Sequence, residues 1–158
     1  MVKKTASAIV VFGCLAATTL AFAWSGECVR VPDGDDVVVR HDGREFRIRL
    51  YGIDCPEFNQ PYGDKAKEFA ERMVLGKDVE VEVVDCDHVH RRLVAWVSVG
   101  GTSVNKELLR EGLAWWYRKY APGNKELEAL EKEAREGRKG LWEQENPVAP
   151  WIWKHRKR

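Results

Sequence analysis

The sequence predicts a mainly β fold with α-helices: a small five-stranded Greek-key barrel, one inserted helix and further helices towards the C-terminus. Three observations predict it. Five short runs of residues alternate between apolar and polar as strands do, turn sequences separate the first three runs, and a helical repeat stands between the third run and the fourth. This order of elements is typical of the OB-fold, a small closed barrel.

The first three strands are separated by turn residues. ECVRV and DVVVRH stand on either side of PDGD, a turn sequence that contains a proline and a glycine. Asp42–Gly43 then joins DVVVRH to REFRIRLY as a tight hairpin. Alternation along REFRIRLY places Arg47 and Arg49 on one face and the apolar residues of the strand on the other.

A change of period marks the inserted helix and the elements that follow it. Apolar residues recur at helical spacing between residues 62 and 74, and Gly76 follows as a stop. VEVEVVDC and RLVAWVSV are the fourth and fifth strands. Two further helices are predicted, one from about Val104 to Leu109 and one that begins after the N-cap Asn124. The tail from Asn146 is expected to be extended, with its tryptophans packed onto the barrel.

Residues 1–23 are expected to be a signal peptide, so that the domain spans residues 24–158 and ends in the short basic tail KHRKR. Lys3 and Lys4 precede an apolar run that ends in AFA at Ala23, which is the layout of a secretory signal. The run is short for a membrane span, so we expect a secreted or periplasmic protein with no stable membrane association after cleavage. VFGC leaves a lipoprotein anchored at Cys14 as an alternative.

Removal of residues 1–23 takes away two lysines and no acidic residue, so the formal charge changes from +1 to −1. Net charge therefore gives no general indication of nucleic-acid binding, and any such binding must depend on the local placement of charges. Three cysteines remain, and export permits one disulfide among Cys28, Cys55 and Cys86. All three pairings are open. Cys55–Cys86 is preferred because both residues flank loops expected at one rim of the barrel.

Acidic residues follow two of the predicted strands. Asp33, Asp35 and Asp36 lie after the first strand, and Asp54 and Glu57 lie just beyond the third. Strand ends of a barrel can meet at the same rim, where carboxylates and backbone carbonyls suit a hard cation such as Ca²⁺ or Mg²⁺. Taken alone, PDGDD is also an ordinary turn sequence.

Two arginines turn this acidic rim into a candidate site for phosphodiester cleavage. Arg49 lies on the polar face of the third strand, and Arg92 begins the fifth, which we expect to close the barrel near the first. Phosphoryl transfer uses planar guanidinium donors to hold the charge on the phosphate oxygens. Glu57 is of the type needed to orient or deprotonate a water molecule. Arg44 and Arg47 are expected to be solvated surface charges.

Several motifs resemble those of the staphylococcal nuclease (thermonuclease) family. They are VPDGDDV, RIRLYGIDCPE, QPYGDKAKEF, RRLVAWV, VNKELLREGLAWWY, GLW and PWIWK, in family order. The resemblance implies an OB barrel with added helices, a Ca²⁺ site and endonuclease activity on DNA or RNA. It implies no protein partner. The catalytic positions that it assigns are Arg49, Glu57 and Arg92. The Ca²⁺ ligands that it assigns are Asp35, Asp54 and the backbone carbonyl of Cys55, where the family uses Thr.

The chain departs from the family pattern around DHVHRR. His90 stands where a nucleotide-stacking Tyr is expected, Arg91 stands where Gly is expected, and Asp36 replaces a Thr. Glycine at the position of Arg91 would allow a backbone conformation that Arg resists. With His90 and Arg91, Tyr117 and Tyr120 are the candidate substrate-binding residues.

Two other functions are compatible with these residues. One is a catalytically weak or inactive OB module that only binds nucleic acid; it is disfavoured because the acidic and arginine side chains are all present. The other is a zinc protein built on CDHVH, in which Cys86, His88 and His90 would alternate along a strand and share one face. A second pair of zinc ligands is not evident.

Overall fold

The computed structural model describes residues 22–156, with side chains from residue 23 to residue 155. The strands are β1 (Phe22–Asp33), β2 (Asp36–His41), β3 (Arg44–Leu50), β4 (Ile53–Asp54), β5 (Asp78–Asp87), β6 (Arg92–Val99), β7 (Thr102–Ser103) and β8 (Trp115–Trp116). The helices are α1 (Gly63–Val74), α2 (Val104–Arg110), α3 (Lys125–Glu136), α4 (Pro150–Arg156) and a short 3-10 helix at Gly140–Glu143.

Five strands form a closed mixed barrel, which confirms the predicted OB-type fold. β1 pairs antiparallel with β2 and β5, β2 pairs with β3, and β5 pairs with β6. A parallel pairing of β3 with β6 closes the barrel, with Ile48 opposite Leu93 and Leu50 opposite Ala95. The sequence suggested that the fifth barrel strand closes near the first strand. In the structure it closes against the third strand instead.

The first strand is longer than its sequence predicts because its two halves pair with different neighbours. Residues 22–27 pair with β5, and the strand pairs with β2 from Glu27 onwards. Gly26 lies at this change of partner, where a Cβ atom would collide with the backbone oxygen of Arg40. A glycine is therefore needed for the close approach of the two backbones.

The barrel interior contains the apolar faces of the strands, and α1, α2 and α3 contribute buried residues to the same core. Ile48 and Leu50 of β3 are buried, as alternation predicts, and α1 buries Ala66, Ala70 and Val74 against the same core. The side chain of Asn124 accepts a hydrogen bond from the Leu127 amide at 3.1 Å, which confirms the predicted N-cap of α3.

The C-terminal segment is helical at Pro150–Arg156, so the expectation of an extended tail is wrong there. Proline at the first position of a helix loses no hydrogen bond, and the Ala149 carbonyl accepts from the amides of Ile152 and Trp153. Trp151 packs edge-on against Trp115, with 5.8 Å between ring centroids. The expected packing of the tail tryptophans is thus confirmed for Trp151.

The expected disulfide is not formed: Cys28, Cys55 and Cys86 are free thiols. Cys28 and Cys55 are buried in the core, whereas Cys86 is exposed on β5, so the preferred Cys55–Cys86 pairing is wrong. The predicted signal peptide falls almost entirely on residues 1–21, which lie outside the described residues, as does Cys14. Between residues 22 and 156 no helix is long and apolar enough to cross a membrane.

Candidate active site

A cleft of about 1260 Å³ lies at one rim of the barrel and collects most of the predicted site residues. Its walls come from the turn between β1 and β2, the end of β3, the loop after β4, the turn between β5 and β6, and α4. The predicted site residues that line it are Arg49, Asp54, Glu57, His90, Arg92, Tyr117 and Tyr120, and Asp33 and Asp36 of the acidic turn line it with them. Asp35 and Cys55 are buried beside the cleft.

Arg49 joins the two predicted metal-ligating carboxylates. Its guanidinium donates to Asp35 and to Asp54, which are 1% and 2% exposed. The register of β2 and β3 places Asp36 opposite Arg49, and the Leu50 amide donates to the Asp35 carbonyl at 2.8 Å. The strand ladder thus brings the turn after β1 to the end of β3, as predicted.

Burial dominates the electrostatics of this cluster. It raises the pKa of Asp35 to about 7, although Arg49 and a 2.5 Å hydrogen bond from the Cys55 amide favour the ionised form. Burial also disfavours the charge of Arg49, but Asp35 and Asp54 outweigh it and raise the pKa of Arg49 above its usual range. Two buried carboxylates therefore share one guanidinium, and the cluster is negative when both are ionised.

The donor atoms of this cluster fit a hard cation. Asp35 and Asp54 offer carboxylate oxygens, which Ca²⁺ and Mg²⁺ prefer. Burial raises the pKa of the Cys55 thiol well above its ordinary value, so Cys55 stays neutral and would contribute a backbone oxygen and not a thiolate. In residues 22–156 no group of three or more His, Cys, Asp or Glu side chains is arranged to hold a metal ion, so backbone oxygens and water would have to complete the shell.

Arg92, at the start of the strand beside β3, is held by two carboxylates. It donates to Asp36 at 2.9 Å and to Asp87 at 3.1 Å. Arg47 is exposed, as expected of a surface charge, but it also donates to Asp36 at 3.0 Å. Alternation puts Arg47 and Arg49 on the same face of β3, and the substitution of Asp for Thr at position 36 supplies the partner.

Glu57 faces the cleft and is held by residues that the sequence analysis did not single out. Lys154 of α4 forms an ion pair with its carboxylate at 2.9 Å. The Glu57 amide donates to the Gln60 side chain at 3.1 Å, and Gln60 in turn donates to the Val148 carbonyl at 2.5 Å. Trp153 donates to Asn59 at 3.0 Å. The segment around α4 therefore fixes the loop that carries Glu57.

Comparison of the sequence with known protein families gives a match that includes these residues. The family model described as Staphylococcal nuclease homologue matches residues 47–144, a span that contains Arg49, Asp54, Glu57 and Arg92. The chain belongs to the staphylococcal nuclease family.

Curated relatives support this membership over most of the chain. A protein of Escherichia coli O157:H7 named uncharacterized endonuclease is 40% identical over 132 residues, which cover 84% of this chain and 86% of that protein. A protein of Shigella flexneri named micrococcal nuclease is 35% identical over 84% of this chain and 83% of its own length. A protein of Oryza sativa subsp. japonica named probable staphylococcal-like nuclease CAN1 is 42% identical over 79% of this chain but only 36% of its own length.

The turn before Arg92 departs from the family pattern in its sequence but keeps the backbone conformation that a glycine would allow. Arg91 has a φ of 52°, in the left-handed region that favours glycine, the residue that the pattern has there. Arg91 is exposed and does not line the cleft, whereas Arg92 does. The geometry thus favours Arg92 over Arg91 as the arginine that meets a substrate.

Asp87 stabilises this turn from the end of β5. Its carboxylate accepts from the His90 amide at 3.1 Å, contacts the His90 ring at 2.8 Å and accepts from Arg92. Desolvation works against its charge, but these hydrogen bonds prevail and lower the pKa of Asp87 to about 2. His88 and His90 lie in the turn after β5, so they do not alternate along a strand with Cys86 as the zinc hypothesis required.

The two candidate tyrosines differ in their freedom to bind a substrate. Tyr117 follows β8, which pairs with β4 and so lies beside Asp54. One face of its ring stacks on Trp151, with centroids 5.1 Å apart and planes at 3°. Tyr120 packs edge-on against Tyr117 at 4.8 Å and is 59% exposed. Tyr120 is therefore the more accessible aromatic surface.

Proposed function

We propose that the chain is a Ca²⁺-dependent endonuclease that hydrolyses phosphodiester bonds of DNA or RNA. Its assignment as a nuclease, a hydrolase, follows from its membership of the staphylococcal nuclease family. The observation that supports the finer proposal is that Arg49, Glu57 and Arg92 all line one cleft beside two buried carboxylates. These are the groups that phosphodiester hydrolysis needs: donors for phosphate oxygens and a carboxylate for water.

The side chains divide the work by their chemistry. Arg49 and Arg92 present planar N–H donors from two neighbouring strands, and they can hold phosphate oxygens by paired hydrogen bonds. Glu57 orients the attacking water or accepts its proton, while Lys154 fixes the position of its carboxylate at 2.9 Å. Asp36 and Asp87 keep the Arg92 side chain extended into the cleft.

The metal would be held by Asp35, Asp54 and the backbone carbonyl of Cys55. Bound there, Ca²⁺ would supply positive charge that stabilises the phosphate during cleavage. We further propose that residues 1–23 direct export to the periplasm or the medium, on the basis of Lys3, Lys4 and the apolar run that follows them.

Hydrolysis of single-stranded DNA and of RNA, each with added Ca²⁺ and with excess chelator, tests the proposal. We expect cleavage with Ca²⁺ and none with chelator. The Glu57→Gln variant serves as the matched inactive control. Binding without cleavage under every condition would instead identify a nucleic-acid-binding module. Cleavage that persists in chelator would refute the metal requirement and leave the nuclease assignment intact.

A further inference from the structure

A second groove of about 570 Å³ adjoins the active-site cleft on the far side of α4. Tyr117, Trp151 and His155 line both spaces, and Arg118, Lys119 and Ile152 line the groove alone. We propose that this groove binds the part of a single-stranded DNA or RNA substrate that extends beyond the scissile phosphate. The inference rests on the proposed function and adds a binding path for the substrate strand outside the cleft.

The groove has aromatic and apolar surface of the kind that unpaired bases use. The stacked pair of Tyr117 and Trp151 stands where the cleft and the groove meet, so a strand that leaves the cleft must pass over these rings. Ile152 is 47% exposed and extends the apolar surface into the groove. Bases stack on such side chains without regard to sequence, because every base has an aromatic face.

The groove also offers phosphates one cation, Lys119, whose Nζ lies 5.5 Å from the Tyr120 ring centroid, and one imidazole, His155. In the part of the chain between residues 22 and 156, no carboxylate forms an ion pair with Lys119 or with His155, and both are exposed. Lysines of the neighbouring helix α3 are different, because Lys125 pairs with Glu128 at 2.9 Å and Lys132 with Glu136 at 3.7 Å. Arg118 contributes less, since Glu131 binds it at 2.8 Å.

These two properties favour a single strand over a duplex. In a duplex the bases are paired and stacked inside, so their faces cannot rest on Trp151 or Ile152. A single strand can turn its bases towards these side chains while its phosphates face Lys119 and His155. The reach from the cleft into the groove also requires several nucleotides, so short fragments should not use the groove.

The test measures the binding of fluorescent oligonucleotides by anisotropy in excess chelator, with gel analysis to confirm that they stay intact. Single strands of about 3 and about 12 nucleotides are compared, because site sizes on such barrels are about 4–16 nucleotides. The variant is Lys119→Ala/His155→Ala. The matched control is Lys125→Ala, which removes an exposed lysine that already has a carboxylate partner.

We expect wild type to bind the long strand at least about tenfold more tightly than the short one. The double variant should lose most of this advantage, and Lys125→Ala should keep it. The slope of log Kd against log salt for the long strand should fall by about 0.7 in the double variant, since Lys119 is one cation and each phosphate contact on a single strand contributes about 0.7. A double variant that matches wild type would overturn the inference, and so would a duplex that binds as tightly as the single strand. Failure of the proposed function would show separately, as an absence of hydrolysis when Ca²⁺ is present.

Discussion

Replacement of Arg49 by Met should destabilise the metal-free protein far more than the same change at Arg47. The two arginines lie on the same face of β3, but their surroundings differ. Arg49 contacts Asp35 and Asp54, which are 1% and 2% exposed, whereas Arg47 is 48% exposed and contacts Asp36 at 3.0 Å. Arg47→Met is therefore a matched control for loss of charge and change of volume.

The expected magnitudes follow from these environments. Loss of one partner from a buried ion pair costs about 3–5 kcal/mol, because the remaining charge is left without compensation. Loss of Arg47 should cost only about 0–1 kcal/mol, because Arg47 is 48% exposed and Asp36 keeps Arg92 as a partner. Burial has already raised the pKa of Asp35 to about 7, above the value of an unfolded chain, so Asp35 favours the folded state most at low pH and this contribution is lost as the pH rises. The cost of Arg49→Met should accordingly be larger at pH 7.5 than at pH 5.

Urea unfolding followed by tryptophan fluorescence, in excess chelator, measures both variants at the two pH values. Addition of Ca²⁺ should then stabilise Arg49→Met more than wild type, because the guanidinium no longer competes for the carboxylates. The reasoning is refuted if Arg49→Met costs no more than Arg47→Met, or if its cost does not grow between pH 5 and pH 7.5.

Three further predictions concern activity. Glu57→Gln should lower turnover by a factor on the order of 10² or more with a similar KM; an unchanged turnover number would remove Glu57 from the mechanism. Chelation should abolish hydrolysis, and Ca²⁺ should restore it better than Zn²⁺. Calorimetry should show that the affinity for Ca²⁺ falls below about pH 7, because Asp35 gains a proton there. Equal affinity at pH 5.5 and pH 8 would contradict this dependence on Asp35. Arg91→Gly should flatten the salt dependence of KM with a smaller change in kcat, because it removes an exposed charge and puts glycine at a left-handed backbone position. Loss of turnover at every salt concentration would show that Arg91 is the catalytic arginine.

Local sequence patterns predicted the barrel because each strand carries its own signal. Alternation identified the buried face of β3, and Asp42–Gly43 identified the hairpin before it. The C-terminal helix had no such signal, since it has only 7 residues and forms with support from tertiary contacts such as Trp151 on Tyr117. The disulfide prediction failed for a related reason. An oxidising compartment permits a disulfide, but the positions of the cysteines in the fold determine whether two thiols are close enough to form one.

The candidate site was predictable as far as neighbouring strands determine it. Asp35, Arg49 and Asp54 meet because the turn after β1 and the end of β3 are brought together by the register of one ladder. Lys154 and Gln60 could not be found in this way, because α4 reaches the Glu57 loop from the far end of the domain. The only sequence feature that pointed to Lys154 was its position as a basic residue inside the aromatic motif PWIWK, and that position does not indicate which acidic residue it pairs with.

The parallel pairing of β3 with β6 bears on the kinetics of refolding. β1, β2 and β3 can form as local hairpins within microseconds, but β6 must join them across the whole of α1 and β5. We therefore expect Arg49 to be in place early and Arg92 to arrive with the closing strand. Nuclease activity should return with the rate constant of the slowest global phase and not with that of the first hairpins, so that a partly folded chain exposes strand edges without yet being able to cut.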